Sequence, residues 1–204
     1  SLSWRNIEYF LNKNPTGKAI LNFRDLRDVV CSFKKGTIAP GDDYLIALFN
    51  VIDSMDYFLK YQKQFPDRFL GVRYEDLKSD TENETKKICA FLGVDFEDNM
   101  INPDYWSDDM GGKWANTQVS SFYDVKDHVN PMGRWRRIIT EEDLFLCEWL
   151  GREQMKKFNI APEGREVSQE VFDNAINKLN SSPLLREAFR NWAITGSGMQ
   201  KYPI

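Results

Sequence analysis

Two short apolar runs, KAILNFR at residues 18–24 and FLGVRY at 69–74, are separated by segments of helical periodicity. That alternation narrows the fold more than any other feature of the chain. Apolar strands joined through amphipathic helices favour a parallel sheet with covered faces. Pro15-Thr16-Gly17 turn the chain into the first run, and Leu26 to Phe33 read as a helix directly after it. The pattern breaks around Pro40. Asp42 and Asp43 then open a long helix to about Gln64, with charges suited to its N-terminus. Its apolar stripe is Leu45, Leu48, Phe49, Ile52, Met55, Phe58 and Leu59. After the second strand, Thr81-Glu82-Asn83-Glu84 has the spacing of a capping box. The helix it predicts runs through Ile88, Phe91 and Leu92 to Gly93, a residue suited to a C-terminal stop.

Residues 95–135 differ: they are rich in Asp, Asn, Gly, Ser and Trp and carry little periodicity. An irregular segment this long inside a compact domain is usually functional. Thr140-Glu141-Glu142-Asp143 start a further helix holding Leu144, Leu146, Cys147, Leu150 and Met155. Another is predicted from Ser168 to Leu179. Ser182-Pro183 begin the last, with Pro183 as its first residue. Nothing in this pattern marks a linker or a repeat, so residues 1–204 are expected to form one domain.

Length and composition support a core: 204 residues, 42% hydrophobic. The net charge of -4 argues against nucleic acid or an anionic membrane as general partners. No apolar run approaches the roughly 18 residues of a membrane helix. Cys31, Cys89 and Cys147 are far apart and lack metal-ligand spacing. No metal is therefore expected, and a sparse, odd set of cysteines fits a reducing, cytoplasmic setting. His128 is the sole histidine, which excludes a Ser-His-Asp or two-histidine metal mechanism within one chain.

The stretch ILNFRDLRDVVCSF, residues 20–33, concentrates the chemistry. Ligands in open parallel sheets sit beyond the carboxyl ends of the strands, where Arg24 lies. Its planar fork suits a phosphate or carboxylate, the following helix start adds backbone N–H donors, and Ser32 supplies a hydroxyl two turns on. A structural alternative is equally simple: Arg24 pairs with Asp28 or with Glu75, and Ser32 faces solvent or bonds the preceding turn.

Four stretches, in order, resemble one family. RDLRDVVCSF resembles the 3′-phosphate-binding element of sulfotransferases dependent on 3′-phosphoadenosine 5′-phosphosulfate. VRYEDL (residues 72–77), SSFYDVK (120–126) and GRWRRIIT (133–140) resemble further elements of it. The resemblance implies an α/β, P-loop-NTPase-like sulfotransferase fold, a parallel sheet flanked by helices. It implies transfer of a sulfuryl group from that donor to a hydroxyl or amine of a small-molecule or glycan acceptor. Arg24 and Ser32 would hold the 3′-phosphate, Tyr74 would contact the nucleotide near its base, and Ser120 and Phe122 would touch the adenine. The loop from Lys126 to Arg134 would close over the 3′-phosphate, with Lys126, His128 or Arg134 supplying its basic groups. His128 is expected as a phosphate contact or a surface loop residue rather than a general base.

The pattern departs from the family at the front. Its glycine-rich phosphosulfate loop is expected before Ser1, so the first βα unit is missing from these residues. NPTGK at 14–18 precedes a strand, whereas a phosphate cradle follows one. Glu8 is the only carboxylate before Arg24 and aligns with no acceptor-activating group, so the catalytic base is unassigned. The competing reading is a non-catalytic nucleotide-binding or interaction domain that kept the scaffold and lost that loop. Glu75 is expected as a structural partner of Arg24, Arg27 or Arg73. Trp106, Trp114 and Trp135 are expected to pin the long loop rather than line an acceptor site.

Overall fold

The protein is described here by a computed structural model covering residues 3–36, 38–107 and 132–196. The chain divides into two compact units, and each is built from two separate pieces of sequence. Residues 3–24 and 58–128 make the first; residues 25–57 and 129–204 make the second.

The first unit is organised by a parallel strand pair, β1 (Ala19–Phe23) and β2 (Phe69–Arg73), in register from Ala19 opposite Phe69 to Phe23 opposite Arg73. Helix α1 (Ile7–Lys13) precedes β1, and the last residues of α3 (Ile46–Gln64) belong here from Phe58 onward. Phe58 packs edge-on against Phe23 and Phe69, with ring centroids 4.9 and 5.5 Å apart. The ring comes so close to β2 that only glycine fits at position 71: a Cβ there would stand 1.6 Å from Phe58 Cε2. The carbonyls at the end of α1 are collected by one arginine, since Arg68 Nη1 donates to Leu11, Asn14 and Pro15 at 2.9–3.1 Å. Glu8 is engaged by Lys60 and Gln64 (2.5 and 2.8 Å), whose hydrogen bonds lower its pKa.

Strand β2 ends one residue earlier than the sequence suggests. Tyr74 already opens a short helix, α4 (Tyr74–Ser79), which passes into α5 (Thr81–Leu92). The predicted capping box does not form: Thr81 Oγ1 donates back to the Leu77 carbonyl, and the N-cap position falls to Asp80. A preceding helix supplies acceptors that an isolated N-terminus would lack, so the threonine is drawn backward. Gly93 stops α5 as predicted, at φ +81° with its N–H on Cys89.

The second unit is helical: α2 (Leu26–Gly36), the first part of α3, α6 (Trp135–Ile138), α7 (Glu141–Leu150), α8 (Arg152–Lys157), α9 (Gln169–Asn180) and α10 (Pro183–Thr195). Three predicted helix starts are capped by a side chain. Thr140, Ser168 and Ser182 each accept the N–H three residues on. Met155 belongs to α8, not to the helix of Leu144: at Gly151 a Cβ would meet the Cys147 carbonyl at 2.8 Å, and the chain re-starts there.

Asp143 forms the polar centre of this unit. Fully buried, it takes Lys34 and Lys178 at 2.7 Å each and the Tyr44 hydroxyl at 2.8 Å. Burial alone would raise its pKa, but the two lysine hydrogen bonds outweigh that and lower it. Among the described residues, no helix is long and apolar enough to cross a membrane.

Candidate functional site

Arg24 is the first residue past β1, and Tyr74 is the first past β2. Parallel pairing brings both strand ends to one edge of the sheet. The Arg24 guanidinium carbon lies 4.6 Å from the centre of the Tyr74 ring. Both side chains are half-buried. A cation over an aromatic face is attracted by the ring quadrupole, which holds the guanidinium plane while its N–H groups can still donate. The next carboxylate on, Glu75, receives Arg73 Nε at 3.2 Å, which fulfils one of the three structural pairings expected for it.

The rest of the Arg-Asp stretch begins the second unit. Asp25 caps α2: its Oδ1 accepts the Arg27 N–H at 2.9 Å. It also holds the Arg27 guanidinium through both oxygens, at 3.0 and 2.8 Å, while Arg27 Nη1 reaches Glu148 at 3.1 Å. Asp28, 2% exposed, turns the other way: Oδ2 accepts the Gly133 N–H at 2.9 Å and Oδ1 the Trp135 N–H at 3.1 Å. Ser32 sits one turn further along α2, half-buried. Arg134 lies between the two residues bonded by Asp28 and is also half-buried.

Of the residues singled out from sequence, Arg24 and Tyr74 meet in the first unit, while Ser32 and Arg134 belong to the second. Ser120, Phe122, Lys126 and His128 lie outside the described residues, as does Trp114. Trp135 is 1% exposed, clustered with Cys31 and Leu144, and so pins its segment. Trp106, 41% exposed, donates its indole N–H to the Met100 carbonyl.

The sequence names Arg27 and Asp28 only as possible ion-pair partners of Glu75 and Arg24, not as buried members of the constellation. The signal was present: both fall among Leu26, Val30 and Cys31, the buried positions of α2, and charges on a core-facing stripe need specific partners. A cleft of about 440 Å³ also opens in the second unit, with Phe145, Trp149, Val167 and Val171 in its walls. Neither Ser32 nor Arg134 lines it.

These features define a helix-rich α/β protein whose parallel strand ends present a stacked arginine, followed at once by a helix. The class narrows to a family over the first part of the chain. Residues 2–98, just under half of the sequence, match the model of the sulfotransferase family. No curated protein and no solved structure matches the chain.

Proposed function

We propose that the chain carries the nucleotide side of a sulfotransferase that uses 3′-phosphoadenosine 5′-phosphosulfate. In the overall reaction an acceptor oxygen or nitrogen bonds to sulfur, and the bond from sulfur to the 5′-phosphate oxygen breaks. The acceptor's proton goes to a base that this reading does not name, and adenosine 3′,5′-bisphosphate leaves. Arg24 and Ser32 hold the 3′-phosphate, Tyr74 lies near the base, and Ser120 and Phe122 contact the adenine. His128 and Arg134 add positive or polar groups for the phosphate. A P-loop-type fold belongs to the same reading.

One observation carries it. A guanidinium stands just past a parallel strand, stacked on a tyrosine that stands just past its neighbour. That is where ligands of parallel sheets bind, and stacking leaves the arginine fork oriented for a phosphate. The family match over residues 2–98 covers both groups and supports sulfuryl transfer as the general chemistry. The three buried cysteines, none joined in a disulfide, suit a reducing, cytoplasmic setting.

The test is a calorimetric titration of the 204-residue chain with adenosine 3′,5′-bisphosphate, with 5′-AMP as control. Binding that requires the 3′-phosphate is expected. Equal binding of both nucleotides, or of neither, rejects the donor reading.

A further inference from the structure

Asp28 is a carboxylate at 2% exposure whose two oxygens each accept one backbone N–H, from Gly133 and from Trp135. Burying a charge is costly unless it is met by donors, and charge-assisted hydrogen bonds hold geometry more strictly than neutral ones. The residue between those donors is Arg134. Its flanks are fixed twice over. Gly133 adopts φ +68°, the left-handed region that favours glycine. The Trp135 ring is buried under the Arg27 guanidinium, 3.9 Å from its centre. Asp28 and Ser32 stand four residues apart in α2, hence on one face of the helix. The turn carrying Arg134 is therefore fastened to the same helix face that presents Ser32.

We propose that Asp28 is a positioning residue that sets the backbone around Arg134, so that this arginine and Ser32 address one anionic group, the 3′-phosphate. The inference rests on the donor reading above and adds to it the group that orders the site. Packing alone would be served by an apolar residue; a buried carboxylate divided between the two donors that flank Arg134 fixes direction as well.

The experiment compares three forms of the full chain: the parent, Asp28→Asn and Tyr44→Phe. Asparagine offers one carbonyl oxygen and sets an NH₂ group against the other N–H donor. Tyr44→Phe removes a hydroxyl bonded to Asp143 in the same unit and leaves the turn untouched. Affinities for adenosine 3′,5′-bisphosphate and 5′-AMP are measured beside thermal midpoints. Asp28→Asn is expected to cut the preference for the 3′-phosphate by about tenfold or more (roughly 1.4 kcal/mol), with 5′-AMP affinity kept. Tyr44→Phe is expected to lower the midpoint and keep the preference. An Asp28→Asn chain with full preference overturns the inference while the donor reading stands, and so does an equal loss in Tyr44→Phe. A parent chain without preference rejects the donor reading, and Asp28 then positions nothing for a phosphate.

Discussion

The guanidinium of Arg27 lies 3.9 Å from the centre of the Trp135 indole while its edge is held by Asp25 and Glu148. One side chain thus meets an aromatic face and two carboxylates in a place that is 3% exposed. Burial disfavours its charge, and the hydrogen bonds and charges of Asp25 and Glu148 more than restore it, so its pKa is raised. Removing one partner of a buried pair leaves the others uncompensated, at a cost of about 3–5 kcal/mol. Arg27→Ala is accordingly expected to lose stability on that scale in urea unfolding, and an unchanged midpoint would contradict the buried pairing.

The Arg24–Tyr74 contact predicts a division of labour. Arg24→Ala should weaken adenosine 3′,5′-bisphosphate by about 1.5–3 kcal/mol, the scale of a hydrogen bond to a charged group. Tyr74→Phe keeps the aromatic face and should bind nearly as the parent does. Tyr74→Leu loses it and should forfeit about 0.5–1 kcal/mol. Calorimetry of the three variants checks the order, and equal losses in both tyrosine variants would show that the hydroxyl matters instead of the ring.

Gly71 predicts a packing defect that can be repaired. Its missing side chain is filled by the Phe58 ring, so Gly71→Ala should cost about 1–3 kcal/mol or more through overpacking. Phe58→Leu in the same chain should recover part of that loss. Denaturant midpoints of the two single variants and the double variant give the coupling directly. Purely additive losses would mean that the ring moves aside without strain.

Asp143 makes the fold acid-sensitive in a defined direction. Its pKa in the folded chain is lowered, so the unfolded chain binds its proton more readily. The stabilisation is complete above the unfolded carboxylate value of about 3.9 and fades as pH falls through the lower folded value. Asp143→Asn should cost on the order of 3 kcal/mol near neutrality, and the gap to the parent should narrow as acid is added. A gap that stays constant from pH 6 to pH 3 would exclude the linkage.

The elements most legible in the sequence were those that local chemistry decides. Ser182 and Pro183 set the start of α10, and Gly93 sets the end of α5. Both need only the dihedral and hydrogen-bonding preferences of a few residues. What escaped depended on distant partners. Thr81 forms no capping box because Leu77 offers it a carbonyl. Gly151 stands between α7 and α8 at a place where Leu26 and the Cys147 carbonyl leave no room for a side chain. In the candidate site, Arg24 and Tyr74 were readable from their places after strands. The burial of Asp28 was readable from its place on the apolar stripe of α2, but its partners were not, since Gly133 and Trp135 are remote in sequence and bond through main-chain N–H groups that carry no residue signature.

The interleaving of the two units bears on how the chain is made. A ribosome releasing this protein from its N-terminus delivers β1 well before Phe69–Arg73, its pairing partner, has been synthesised. Closing that interval costs loop entropy before any ladder bond forms, which slows folding and leaves a nascent strand edge without its mate. Nor can a protease or a cloning boundary separate the units at a single cut, because the chain passes from the first unit to the second after Arg24, back at Phe58, and to the second again after residue 128. A fragment that keeps the second unit whole must therefore carry the 58–128 segment of the first as well.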